Sequence, residues 1–286
     1  MKQKRKLLER QYDAAWNPEV SAARLEDLES FEAPLLVTSF TWHKSAMPRR
    51  HQHQPAQLVF SGENVVTVRT DRARLVVPPN RGVWVPPNLP HETSGNGILH
   101  MHSVFVNPRC LDGLPSECVA VAISPLLREL IFHCAGRTEL MSENTPEHRL
   151  AMVIFDQLKV APQVSLRLPM PVDRRVLAVC DGLFEDPSSD RTVPEWGSVV
   201  GASARTLSRL FLSETGMSFH RWRQQARLQA ALPRLADGES VTQVAFDLGY
   251  QTPSAFIAMF RSVLGVTPRG YFQSGIPDGS GLIETS

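Results

Sequence analysis

Two histidines stand two residues apart in the stretch "HQHQPAQ", at His51 and His53, and Gln57 follows four residues after the second. On a strand, residues i and i+2 point to the same face. Two imidazoles sharing a face can hold a divalent metal, which raises the question of an enzyme's metal centre. The alternative is that they are leftover histidines of a fold with another task. A second H-x-H, His100 and His102, has no further ligand motif nearby and reads as packing or surface. No Ser-His-Asp set and no nucleophilic cysteine motif accompanies either pair.

The elements that would position such residues must come from a chain of 286 residues, enough for one large domain or two ordinary ones. Its 30 basic and 29 acidic residues nearly cancel, so overall charge does not announce a nucleic-acid partner. The four cysteines, Cys110, Cys118, Cys134 and Cys180, form no C-x-x-C pair, which fits reduced thiols better than a disulfide framework. The basic start "MKQKRKLLERQY" leads into no apolar run of signal-peptide length, and no stretch is long enough to span a membrane. These features predict a soluble, cytoplasmic protein.

The hydrophobic period changes along the chain. From Leu58 to Pro108, short β-branched and aromatic runs alternate with Gly, Pro and Asn, as in a small antiparallel sandwich or barrel. From about Pro125, "SPLLRELIFHCAG" and "PEHRLAMVIFDQLKV" carry apolar residues at i, i+3 and i+4, the spacing of amphipathic helices. "PQVSLRLPMPVD" reads as a connector between domains, and short helices follow to about Phe272.

Within those helices a pattern occurs twice. Trp196, Val199 and Val200 mark a helix that stops at Gly201; Ser203 offers an N-cap, and Leu207, Leu210 and Phe211 form the buried stripe of the next helix. Arg205, Ser208 and Arg209 fall on its other face. In the second copy, Ser240 and Gln243 make a capping box, and Val241, Val244, Ala245 and Leu248 face inward. Gly249 ends that helix, Thr252 and Pro253 open the next, and Phe256, Met259, Phe260 and Val263 face its core. A helix, a glycine-bearing turn and a helix with a basic outer face is the helix-turn-helix arrangement. Between Ala202 and Arg227, five arginines (205, 209, 221, 223 and 227) stand against the single acid Glu214, the kind of local cluster that phosphate binding needs.

The segment "VAFDLGYQTPSAFIAMFRSVLGVTPRGY" resembles the signature that closes the DNA-binding domain of the AraC/XylS family of bacterial transcription regulators, and "GASARTLSRLFLSETGMSFHRWRQQARLQAAL" resembles its first unit and connecting helix. The resemblance implies two recognition helices on one side of the DNA, in major-groove segments about one helical turn, ~34 Å, apart. It places base-reading positions at Ala204, Arg205, Ser208 and Arg209, after the cap Ser203, and at Pro253, Ser254, Ile257 and Ala258. Many members carry Ser and Arg where this chain has Ile257 and Ala258. That leaves apolar contact with thymine methyls, plus Gln251, Thr252, Ser254 and Arg261 for polar contacts. The first helix is therefore expected to carry most of the direct readout. Pro233, inside the connecting helix, is expected to kink or end it.

The strand-rich half resembles the cupin-like sensor barrel of many such regulators. That resemblance sets His51 and His53 at the first metal motif of cupins, Gln57 where a glutamate would be, and His91 at the later histidine. Three imidazoles would suit zinc, nickel, copper or iron. With Gln57 in place of the acid the donor set is weakened, and the polar wall of an organic-effector pocket or a relic remain open beside the metal.

The expected fold is thus α+β and multidomain: an N-terminal arm (1–35), a cupin-like sensor β-barrel (36–110), a helical dimerisation and linker region (111–162), a linker (163–172), an all-α AraC-type DNA-binding domain (173–273) with helix-turn-helix units at about 192–213 and 240–263, and a disordered tail (274–286). The expected function is sequence-specific regulation of transcription, modulated by a small molecule or metal. Its partners would be double-stranded promoter DNA, RNA polymerase in the case of an activator, and a second copy in a homodimer, with no membrane and no required cofactor. The rival reading is a metal-dependent cupin enzyme, an isomerase or dioxygenase, with a helical appendage.

Overall fold

The structure, a computed structural model, describes residues 33–43, 50–95, 98–136 and 144–273. Nearly all of the expected N-terminal arm and the whole expected tail, residues 274–286, lie outside the described residues. Two compact units divide the chain. One runs through Thr70 and resumes at Val77–Val164; the other joins Asp71–Val76 to the chain from Ser165 onward.

The first unit is built on an antiparallel sheet of six strands in the order β1-β7-β2-β5-β8-β9. These are β1 (Leu35–His43), β2 (Ala56–Phe60), β5 (Arg81–Val85), β7 (Ile98–Val106), β8 (Val119–Ala122) and β9 (Gln163–Val164). β3 (Val66–Thr70) pairs antiparallel with β6 (His91–Gly95), with Thr70 opposite His91. β2 and β5 are buried at every position. They lie in the middle of the sheet, and helices α1 (Pro125–Cys134) and α2 (Pro146–Lys159) pack against Leu58, Phe60 and Trp84 through Leu127, Ile131, Ile154 and Leu158. Each fully buried Leu, Ile or Phe of this cluster contributes roughly 1.5–3 kcal/mol relative to exposure. Both helices start at a hydroxyl cap followed by proline: Ser124 accepts from the Leu127 N–H and Thr145 from that of His148. The expected apolar faces are divided, since Leu127, Ile131, Ile154 and Leu158 are buried whereas Leu126 and Val153 are exposed.

The region 111–162 was expected to be helical, yet it contains β8. The run "VAVA" is too short for its period to separate strand from helix, and it pairs along β5 with Arg81 opposite Ala122. The expected linker 163–172 is also structured, holding β9 and β10 (Arg167–Pro169).

In the second unit, β10 pairs with β4 (Ala73–Val77), Leu168 opposite Arg74. Among the described residues seven helices follow: α3 (Arg174–Glu185), α4 (Val193–Val200), α5 (Ala204–Thr215), α6 (Phe219–Ala236), α7 (Val241–Asp247), α8 (Pro253–Leu264) and α9 (Pro268–Gln273). Side chains of α6 hold the backbone around β10. The Trp222 indole N–H donates to the Pro169 carbonyl at 2.8 Å, and Gln229 Nε2 donates to the carbonyls of Arg74 and Leu166 at 2.9 and 3.0 Å. One core gathers Leu168, Val176, Val179, Leu183, Trp196, Leu207, Phe211 and Trp222. Around α7 to α9, a relay of rings runs Tyr250–Phe256–Phe260–Tyr271 at centroid spacings of 5.4, 5.9 and 5.6 Å.

The connecting helix α6 neither ends nor breaks at Pro233; it continues to Ala236. Proline removes only its own N–H from the ladder, here in the last turn, where few bonds remain to be lost. Its carbonyl still accepts from the Asp237 N–H at 2.9 Å.

Candidate nucleic-acid interface and histidine cluster

Helices α4 and α5 form a tight pair. Glu195 reaches back to the Thr192 N–H at 2.6 Å to start α4, and Gly201 ends it with a left-handed backbone, φ 67°. Ser203 then accepts from the Thr206 N–H at 3.2 Å and starts α5. Leu207 and Phe211 are fully buried, which turns Arg205, Ser208 and Arg209 outward; Ala204 is half-buried. Among the described residues Arg205 and Arg209 form no ion pair. Of the first helix, Trp196 is buried but Val199 is exposed, so the inward stripe there is narrower than its apolar residues suggest.

Helices α7 and α8 repeat the construction. Ser240 accepts from the Gln243 N–H at 3.1 Å. The expected capping box is only half made, because the Gln243 side chain donates to Asp247 Oδ1 at 2.7 Å instead. Gly249 provides the turn, and Thr252 accepts from the Ala255 N–H at 3.2 Å. Phe256, Met259 and Phe260 are buried; Gln251, Thr252, Ser254, Ala258 and Arg261 are exposed, while Pro253 and Ile257 are half-buried.

The five-arginine cluster divides by role. Arg205, Arg209 and Arg221 are exposed. Arg227 is buried and donates to the carbonyls of Pro187, Ser188 and Ser189 at 2.8, 3.1 and 3.1 Å. Arg223 donates to the Arg191 carbonyl at 3.1 Å. Spacing along the helix groups these two with the outward charge, because it does not reveal carbonyls contributed by a distant loop.

In the first unit, His51, His53 and His91 come together. His51 and His53 do not share one regular strand: His51 exchanges two backbone hydrogen bonds with His91 across an isolated bridge, and the strand β2 starts only at Ala56. Ring centroids lie 4.4 Å apart for His51 and His91, 5.1 Å for His53 and His91, and 5.8 Å for His51 and His53. One ring nitrogen from each falls within 4.8 Å of the others. Metal–imidazole bonds of about 2.0–2.1 Å allow two donors to stand at most ~4.2 Å apart, so a modest contraction would close the set.

The partners of these rings fix how they present their nitrogens. His91 Nδ1 donates to the Leu89 carbonyl at 2.8 Å, while its Nε2 is buried with no hydrogen-bond partner among the described residues. Burial first, and then the charge of a protonated His51, push its pKa down to about 3, so it is a neutral imidazole with a bare lone pair. His53 Nδ1 donates to the Pro55 carbonyl at 2.7 Å and its Nε2 lies 3.1 Å from Gln57 Oε1. Gln57 donates in turn to Ser103 Oγ at 2.8 Å. Ser103 sits on β7, far along the chain, and no sequence signal connects it to Gln57. His100 and His102 lie elsewhere on β7, hydrogen-bonded to Thr41 and Ser39 at 3.2 and 2.7 Å.

Residues 196–274 match the helix-turn-helix domain family. A putative AraC-like transcription regulator of Streptomyces antibioticus is 27% identical, over 57% of this chain and 54% of its own. The HTH-type transcriptional regulator NimR of Escherichia coli (strain K12) is 35% identical over 221 residues, 77% of this chain and 81% of NimR. The chain belongs to the AraC-like family of HTH-type transcriptional regulators. A crystal structure of a DNA-binding transcriptional dual regulator from Escherichia coli K-12 is 27% identical over 35% of this chain and 90% of that one, with a TM-score of 0.32. As an AraC-like regulator the protein binds DNA and is not an enzyme, and the metalloenzyme reading of "HQHQPAQ" falls with that assignment. No helix among the described residues is long and apolar enough to cross a membrane.

Proposed function

We propose that α5 and α8 are paired recognition helices that enter successive major-groove segments of promoter DNA in the cytoplasm. The observation that supports this best is the outward face of α5, where Arg205 and Arg209 lie exposed and without ion pairs among the described residues. A second helix with a like glycine turn and a hydroxyl cap, Thr252 in place of Ser203, follows in α8. Arg205 and Arg209 suit bidentate contacts to guanine, each worth ~1–3 kcal/mol of discrimination. Ser203, Ala204 and Ser208 complete the first reading face. Gln251, Thr252, Pro253, Ser254, Ile257, Ala258 and Arg261 form a less charged second one. Footprinting of the full chain on its own upstream DNA tests this. Two protected segments about one helical turn apart are expected, and protection of a single segment sinks the reading.

The strand-rich unit is read as a cupin-like sensor, and the cluster of His51, His53 and His91 as its ligand site. The Nε2 of His91, buried and without a partner among the described residues, favours a divalent metal, zinc, nickel, copper or iron, held by the three imidazoles. Because His53 Nδ1 serves the Pro55 carbonyl, its Nε2 is the nitrogen such a metal would take, in place of the contact with Gln57 Oε1. Such a ligand shifts DNA binding only by its differential affinity for the two states. Titrating the protein against its operator with chelator, then with zinc or nickel restored, separates the readings. A metal-dependent change in affinity that disappears in His51→Ala supports the metal site; indifference to metal removes it and leaves a small organic effector. The reading includes a homodimer through the exposed Leu126 and Val153 of α1 and α2, and contact with RNA polymerase at an activated promoter.

A further inference from the structure

One junction in the second unit holds three elements that are distant in sequence. The loop 186–191 leads from α3 into the first helix pair, and α6 presents two arginines to its carbonyls one turn apart. Arg227 takes those of Pro187, Ser188 and Ser189, and Arg223 takes that of Arg191. On its other side the same loop meets the turn of the second helix pair. A Cβ placed on Gly249 would stand 2.5 Å from the Ser188 carbonyl oxygen and 3.1 Å from Arg227 Nη2. The guanidinium of Arg227 also lies over the ring of the next residue, Tyr250, 5.3 Å from its centroid. Arg227 thus touches the loop entering one pair and the turn inside the other, and Gly249 lets the two backbones meet.

We propose that Arg227, seated between the 187–189 carbonyls and the Gly249–Tyr250 turn, is a positioning residue that fixes the separation and angle of α5 and α8, so that the regulator accepts half-sites at one spacing. The inference rests on the reading of α5 and α8 as paired recognition helices. A connecting helix alone would leave each pair free to swing about its ends. The junction adds a second point of attachment, and two attachments define a rigid body. Each base pair inserted between half-sites shifts one by about 3.4 Å and turns it by roughly 35°, a change that a rigid pair cannot follow.

The test uses the full chain and an operator series with zero, one added and one removed base pair between the footprinted half-sites. Arg227→Lys keeps the charge but loses the planar fork that spreads donors from Nε to Nη2 across the three carbonyls. Gly249→Ala drives a Cβ into the Ser188 carbonyl. Gly265→Ala is the control, because Gly265 has the same left-handed φ, 77°, and nothing within 4 Å of the added Cβ. The wild type and Gly265→Ala are expected to lose about tenfold or more in affinity on the altered spacings, whereas Arg227→Lys and Gly249→Ala lose about threefold or less, or prefer a shifted spacing. A tenfold preference retained at the native spacing by both junction variants overturns the lock while leaving the two-helix reading intact. A footprint confined to one half-site overturns the two-helix reading and the lock with it.

Discussion

His91 and His51 pair through their backbones and face each other through their rings, the Nδ1 of His91 being committed to Leu89 and its Nε2 to no group among the described residues. This neutral, buried imidazole has a consequence for stability. In the folded chain it stays uncharged down to about pH 3, whereas in the unfolded chain it takes a proton near 6.5. Between those values the unfolded state binds the extra proton, so stability rises with pH there and is lost as pH falls below 6.5. The loss between pH 6.5 and pH 5 is about 2 kcal/mol. Denaturant midpoints of metal-free protein at pH 5 and 7 check it: His91→Gln is expected to flatten the pH dependence by that amount. An unchanged slope in the variant would show that other groups carry it.

Arg209 faces outward from α5, one turn beyond Arg205, with no carboxylate to hold it among the described residues. Arg209→Ala is expected to weaken specific binding by ~1–3 kcal/mol, roughly 5- to 150-fold, and non-specific binding far less. Affinities measured on operator and on scrambled DNA at one salt concentration decide the matter. Equal losses on both would place Arg209 on phosphate rather than on bases.

The helix pairs were legible because their punctuation is local. A hydroxyl cap, a glycine turn and an i, i+3, i+4 stripe lie within a few residues of one another, as at Ser203, Gly201, Leu207 and Phe211. What escaped depends on pairings across long stretches of chain. β8 is a four-residue apolar run that becomes a strand only because β5 lies beside it. The stretch 162–173 reads as a proline-interrupted connector, and the order at Leu166 and Pro169 comes from Gln229 and Trp222, more than 50 residues later. The three histidines sort the same way. The pair at 51 and 53 is visible in the sequence, His91 entered only through a family resemblance, and the Gln57–Ser103 hydrogen bond has no sequence signal at all.

The dependence of β10 on α6 yields a stability prediction. Trp222 is fully buried and its indole N–H serves the Pro169 carbonyl. Trp222→Phe keeps most of the apolar contact and removes the donor, which leaves a carbonyl of the 165–170 segment unsatisfied. The expected cost is about 1–3 kcal/mol plus the cavity left by the smaller ring. Urea unfolding measures the total, and hydrogen exchange at Leu168 and Met170 should quicken. Unaltered exchange there would mean that β4 alone holds the strand.

The face of α8 proposed to read bases differs in kind from that of α5. Ile257 and Ala258 stand where the family resemblance sets a serine and an arginine, and neither side chain can donate or accept a hydrogen bond. Apolar side chains in the major groove discriminate chiefly by contact with the C5-methyl of thymine. The half-site under α8 is therefore expected to contain thymines facing these two residues. Replacing those thymines with uracil removes the methyl and leaves every hydrogen-bonding group in place, so affinity should fall by a few-fold at that half-site and not at the one under α5. Substituting Ile257→Ala should reduce the penalty of the uracil exchange, because the side chain that met the methyl is gone. Full affinity on uracil-containing DNA would exclude methyl contact, and leave Gln251, Ser254 and Arg261 to supply whatever sequence preference α8 has.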